Sequence, residues 1–177
     1  DSDDWYVVRK PGAIYSITEG PFNIYFGAKN GIFSYDEFND AIEYDYELNQ
    51  GLDYDKAIIA IHYDLYSNQI WVVTDKGIFY KNPIFTTFKE ASFNINFDIY
   101  NSYSITAIGS INNYIVLKYA SGYIFLDSFS GSQTSAPINF DLSSVLWSSS
   151  YYDYSLDDID LSSFYAEDWI VGFRMIT

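Results

Sequence analysis

Apolar and polar positions along this chain recur in blocks. Three stretches align: AIYSITEGPFNIYFGAKNGIFSY over residues 13–35, AIIAIHYDLYSNQIWVVTDKGIFY over 57–80, and SITAIGSINNYIVLKYASGYIF over 104–125. Each opens on two isoleucines three apart: Ile14 and Ile17, Ile58 and Ile61, Ile105 and Ile108. A polar turn follows at Gly20-Pro21, Ser67-Asn68 or Asn112-Asn113, residue types that suit tight hairpins between antiparallel strands. Next comes an apolar run, Ile24-Tyr25-Phe26, Ile70-Trp71-Val72 or Ile115-Val116-Leu117, and a second polar turn ending in glycine. Those glycines, Gly31, Gly77 and Gly122, are 46 and 45 residues apart.

A period of about 40–50 residues holding several short strands is the size of one four-stranded propeller blade. The pattern predicts inner strands such as 58–61, second strands over 24–27, 70–74 and 115–119, and third strands starting at the repeated glycines. Candidate outer strands are 42–48, 86–90 and 137–142, and the acid-rich stretch 36–48 is the one place suited to a helical turn. The repeated glycine predicts a backbone position with positive φ or a close approach between strands. The expected fold class is all-β: one partial β-propeller domain over residues 1–177, of about three and a half four-stranded antiparallel blades. Repeats fall at 13–56, 57–103, 104–155 and an incomplete 156–177, where Asp168-Trp169-Ile170-Val171-Gly172 echoes Asn23-Ile24-Tyr25-Phe26-Gly27. A blade buries its faces only against neighbours. Further blades or a second copy are therefore expected to cover the apolar ends near residues 5–8 and 169–175.

The second repeat resembles the two-component-regulator-type propeller repeat. The resemblance rests on Gly51, Leu52, Ile58, Ile61, Asp64, Ile70, Trp71, Thr74, Gly77, Ile78 and Tyr80. The first repeat keeps Ile14, Ile17, Gly27, Gly31, Ile32 and Tyr35, with Tyr25 in place of the tryptophan, and the third keeps Gly122. This likeness implies a propeller. It also implies the company such repeats keep: exported sensor domains of bacterial hybrid kinases, secretion-system accessory proteins and surface proteins.

Composition strengthens the all-β reading. The chain carries 19 Tyr, 14 Phe and 4 Trp, residues that pack well on pleated, half-buried surfaces. Its 24 acidic residues against 9 Lys plus Arg give a net charge of −15, which repels nucleic acid and anionic lipid. With no cysteine there are no disulfides, thiolate metal sites or thiol nucleophiles. No apolar run reaches the ~18 residues of a membrane span, so membrane insertion is not expected. The acidic start, Asp1-Ser2-Asp3-Asp4, lacks the basic and apolar segments of a signal peptide and fits a cleaved, exported end.

Candidate chemistry is sparse. His62, the one histidine, lies on a predicted inner strand. It is either a hydrogen-bonded strand residue or a base paired with Asp64, and alone it makes no zinc site. No nucleophile elbow, P-loop, dinucleotide fingerprint or HExxH motif occurs. Carboxylates crowd residues 36–56 and 153–168, where Asp158, Asp160 and Ser162 alternate without the glycine and closing glutamate of an EF-hand. They are either solvated acidic loops, a loose Ca²⁺ site, or paired carboxylates for glycoside hydrolysis. By position in a propeller, the turns between second and third strands form a rim. Its candidate binding residues are Lys29, Asn30, Asp75, Lys76 and Ser121. The leading expectation is therefore a non-enzymatic binding or scaffold module of an exported bacterial propeller, needing no cofactor. Its rim would contact a protein, peptide or glycan. The alternatives are a carboxylate-based carbohydrate-active enzyme, with or without calcium, and the ligand-sensing domain of a hybrid kinase.

Overall fold

The computed structural model describes residues 9–36, 40–52, 57–92, 105–119 and 122–154, with 149–154 given by backbone alone. Within them the sequence blocks become three antiparallel sheets. The first holds β1 (Ile14–Glu19), β2 (Ile24–Ala28), β3 (Gly31–Asp36) and β4 (Ala41–Tyr44). The second holds β5 (Ile58–Asp64), β6 (Gln69–Thr74), β7 (Gly77–Lys81) and β8 (Lys89–Glu90). The third holds β9 (Ile105–Ile111), β10 (Tyr114–Tyr119), β11 (Gly122–Asp127) and β12 (Gln133–Thr134). The predicted second strands are indeed equivalent, each being the second strand of its own sheet. Two further strands, β13 (Leu146–Trp147) and β14 (Ser149–Tyr154), pair with β9 and β1 respectively. The acid-rich stretch supplies a single helical turn, α1 (Tyr46–Asn49), started by the Asp45 carboxylate accepting the Leu48 N–H at 2.9 Å.

The isoleucine pairs three apart have a physical cause. Residues i and i+3 of a regular strand point to opposite faces. Here both members of each pair share one core cluster: Ile14 with Ile17, Ile58 with Ile61, and Ile105 with Ile108. Each first strand is irregular at the same point. The register shifts between Ile14 and Ser16, between Ile58 and Ala60, and between the Ile105 and Ala107 pairings. The extra residue, Tyr15, Ile59 or Thr106, is a β-bulge that resets the alternation.

The sheets stack in sequence order. Tyr25 and Ile32 of the first sheet pack with Ile58, Ile61, Ile70 and Val72 of the second. The other face of the second sheet, Trp71, Val73 and Ile78, packs with Ile108, Ile115 and Leu117 of the third. The middle sheet is thus covered on both faces, and every residue of β5 is buried. Trp71 is fully buried and lies against Tyr80, ring centroids 4.4 Å apart and nearly parallel. Gly27 marks a close approach of the first two sheets, since a Cβ there would meet Ile58 Cγ2 at 2.8 Å. At the outer edge, Ser92 bridges to Ser132, and the Tyr80 hydroxyl donates to Ser130 O at 2.7 Å.

Three expectations need correction. The third outer strand is β12, not 137–142, because Phe140 leaves the sheet edge to pack edge-on against Phe125, at 4.7 Å, over the far face of the third sheet. Positive φ holds at Gly31 (121°) and Gly77 (157°) but not at Gly122. The outer candidate 42–48 splits into the end of β4 and most of α1. The fourth repeat and the two apolar ends lie outside the described residues, as do Asp158, Asp160 and Ser162.

Candidate functional site

The first strands of the three sheets lie side by side, and each presents an inner edge whose backbone groups need partners. On β1 that edge pairs with β14, and on β9 with β13. On β5 the partners are hydroxyls. Ile61 N–H donates to Ser16 Oγ at 3.0 Å, and Tyr63 N–H donates to Thr18 Oγ1 at 2.9 Å. Alternation on β1 puts both hydroxyls on one side, facing β5, and both side chains are buried.

Ser148, between β13 and β14, joins all three strands. Its N–H donates to Ile108 O at 2.9 Å and its Oγ–H to Thr18 Oγ1 at 3.0 Å, while Oγ lies 2.6 Å from His62 Nδ1. The hydrogen bond between Oγ and Nδ1 engages one ring nitrogen and leaves Nε2 as the other polar atom of the imidazole. That Nε2 is buried and has no hydrogen-bond partner among the described residues. Burial alone pushes the imidazole pKa down to about 3, so His62 is neutral across the physiological range. His62 is therefore not paired with Asp64. The Asp64 carboxylate instead closes the β5–β6 turn, accepting from Tyr66 N, Ser67 N and Ser67 Oγ at 3.1, 3.2 and 2.5 Å.

A cavity of about 400 Å³ opens beside this junction. Thr18, His62, Ser110 and Ser148 contribute polar groups to its wall, and Tyr63 and Trp147 contribute rings. Gly20, Pro21 and Leu65 place its mouth at the β1–β2 and β5–β6 turns. Tyr25 stacks on Tyr63 at 5.8 Å, and the Tyr63 hydroxyl donates to Asn68 Oδ1. Burial, with Tyr25 and Asp64 adding to it, pushes the Tyr63 phenol up to about 12, so it too stays neutral.

The rim residues lie at the other end of the strands. Lys29 and Asn30 form the exposed β2–β3 turn, and Asp75 and Lys76 the equivalent exposed β6–β7 turn. Ser121 lies outside the described residues. Asn30 has a structural task, since its Nδ2 donates to Lys10 O at 2.9 Å and its N–H to Pro11 O at 3.2 Å. The sequence singled out His62 but missed Thr18, Ser110, Trp147 and Ser148. Ser16 and Thr18, two residues apart on a strand, were a local signal for paired hydroxyls on one face. Ser148, in a run of serines, gave none.

Part of the acid-rich stretch forms a second, wider depression of about 540 Å³, with Asp36, Glu43, Asp45 and Glu47 beside Tyr44 and Phe22. Asp45 is occupied as the cap of α1. Among the described residues, no three His, Cys, Asp or Glu side chains gather to hold a metal ion.

Searches of protein-family models and of curated proteins give no match to this chain. Among solved structures it is similar to PorZ of Porphyromonas gingivalis, described as an essential bacterial surface component of the type-IX secretion system. The TM-score is 0.52 at 12% identity, over 72% of this chain and 17% of the PorZ chain. The likeness is one of fold, and this chain spans 17% of the PorZ length.

Proposed function

We propose that this chain is a non-enzymatic binding or scaffold module, formed by successive blades of a β-propeller in an exported bacterial protein. The observation that carries the reading is the threefold recurrence of one unit. Each repeat gives its sheet four antiparallel strands, the first bulged and the outer one short, and its first strand lies next to that of the neighbouring sheet. Such stacking leaves the strand-connecting turns at two ends, where propellers carry their binding surfaces. The resemblance to two-component-regulator-type repeats and the fold likeness to a bacterial surface component support export and a role in contacting a protein, peptide or glycan.

The test is a panel of glycans and peptides presented to the full chain, with product analysis alongside. Saturable binding without product, weakened by the rim double variant Lys29→Glu/Lys76→Glu or by a change at the opposite end, is the expected result. Turnover of any glycan would replace this reading with a carbohydrate-active enzyme.

A further inference from the structure

Two turns at the end of the strands opposite Lys29 and Lys76 are built alike. The β5–β6 turn reads Asp64-Leu65-Tyr66-Ser67, and the β11–β12 turn reads Asp127-Ser128-Phe129-Ser130. Each is an aspartate followed two residues on by an aromatic and then a serine. In both, the aspartate carboxylate accepts the N–H of the aromatic residue and of the serine. The distances are 3.1 and 3.2 Å at Asp64, and 3.2 and 2.8 Å at Asp127. Such bonds fix the backbone that carries the ring. Other side chains tie the turns down further. The Tyr63 hydroxyl donates to Asn68 Oδ1, and the Tyr80 hydroxyl of the second sheet donates to Ser130 O of the third at 2.7 Å.

The rings held in this way stay in solvent. Tyr66 is 63% exposed and Phe129 55%, and the two meet edge-on with centroids 5.9 Å apart and planes at 68°. Leu65, beside Tyr66, is exposed as well. An exposed aromatic pair on ordered turns loses little conformational freedom when a partner covers it, and aromatic residues of this kind serve as binding anchors.

Charge selects the partner. The turns at this end, residues 20–23, 65–68, 112–113 and 128–132, carry no Lys or Arg. Asp127 adjoins the ring pair, and the Ser130 N–H above all holds its carboxyl below the usual carboxylate range, so it stays charged. In a chain of net charge −15 these surroundings repel anions and attract cations. A guanidinium fits both halves of the surface, because its plane stacks on an aromatic face while its edge donates to a carboxylate. An ammonium is more strongly hydrated and has no plane to stack.

We infer that the Tyr66–Phe129 pair is a docking surface for a basic, arginine-bearing segment of a partner protein, with a guanidinium stacked on the rings and donating to the Asp127 carboxylate. The inference rests on the binding-module reading and gives it a partner class and a place.

The full chain is titrated, by NMR and fluorescence anisotropy, with a Gly/Ser peptide carrying four arginines. Matched peptides carry four lysines, four citrullines or four glutamates in their place. Expected is saturable binding of the arginine peptide with shifts at the Ser67 and Ser130 amides. Binding should be at least tenfold weaker for the citrulline and glutamate peptides and at least threefold weaker for the lysine peptide. Tyr66→Leu/Phe129→Leu keeps apolar bulk and removes the ring faces. It should weaken arginine binding at least tenfold at an unchanged thermal midpoint. Asp127→Asn, which keeps an oxygen for the turn amides, should weaken binding and reduce its salt dependence. The inference is overturned if the arginine peptide does not bind, or binds the double leucine variant as tightly. Equal affinity for the lysine or citrulline peptide overturns it too. So does self-association in sedimentation that the double variant abolishes, since a second copy would then own the surface. Peptide or glycan binding lost only in Lys29→Glu/Lys76→Glu would remove this surface while leaving the binding-module reading standing, whereas glycan turnover strikes that reading itself.

Discussion

The Ser148 hydroxyl donates to that of Thr18 over 3.0 Å, although the two residues are 130 positions apart in the chain. Thr18 at the same time accepts the Tyr63 N–H, so one threonine oxygen serves segments from all three repeats. Thr18→Val keeps the shape and removes the hydroxyl. It leaves a buried amide and a buried serine hydroxyl without their partner, at about 1–3 kcal/mol for each. Equilibrium denaturation should therefore show a loss of at least ~1 kcal/mol. No measurable loss would mean that water replaces the threonine.

Trp71 lies in the apolar layer between the second and third sheets. Trp71→Ala removes its ring from contact with Tyr80 and empties a fully buried site, which costs about 3–5 kcal/mol. A change below about 1 kcal/mol in the urea midpoint analysis would contradict this placement.

Gly109 sits where β13 crosses close to β9. A Cβ there would meet Leu146 O at 2.6 Å and Val145 Cγ1 at 2.8 Å, a backbone clash that a side-chain rotation does not relieve. Gly109→Ala gains about 0.4–1 kcal/mol from a stiffer unfolded chain and loses about 1–3 kcal/mol to strain, so the net effect is destabilising. Hydrogen exchange should speed first at the Ser148 amide, whose acceptor is Ile108 O. Uniform acceleration across the chain would show that β13 does not open separately.

His62 links stability to acid. Its pKa is about 3 when folded against 6.5 for an ordinary histidine, so between those values the unfolded chain binds a proton that the folded one refuses. Stability therefore rises with pH through this window and falls as pH drops from 6.5 towards 3. The loss from this one group between pH 7.5 and pH 5 is about 2 kcal/mol. His62→Gln should flatten the stability profile by that amount. In the unaltered chain, the imidazole ¹⁵N shifts should still report the neutral form at pH 5. A charged imidazole at pH 5 would refute the burial argument.

What the sequence made legible was local. Alternating apolar residues and turns at Asn68 and Asn112, both with positive φ, marked the hairpins. The isoleucines three apart recorded the bulge before it was visible. Outer strands were harder to read, because their place depends on which part of a neighbouring loop covers the sheet. Ile138 and Phe140 look alike in sequence, yet Ile138 is almost fully exposed while Phe140 packs on Phe125. Of the site, His62 stood out by being unique. Its partner Ser148 comes 86 residues later and resembles every other serine around it. Contacts at that separation leave no periodic trace.

The pairing of β14 with β1 also sets an order in time. The hairpins of the first sheet close over spans of a few residues and can form as soon as they leave the ribosome. Thr18 must then wait for Ser148. At roughly 5–20 residues per second of synthesis, the 130 residues that follow Thr18 up to and including Ser148 take on the order of ten seconds to appear. Throughout that interval the inner edge of β1 lacks the β14 partner that it has in the folded chain, and a nascent chain of this protein carries that strand edge as a template for association.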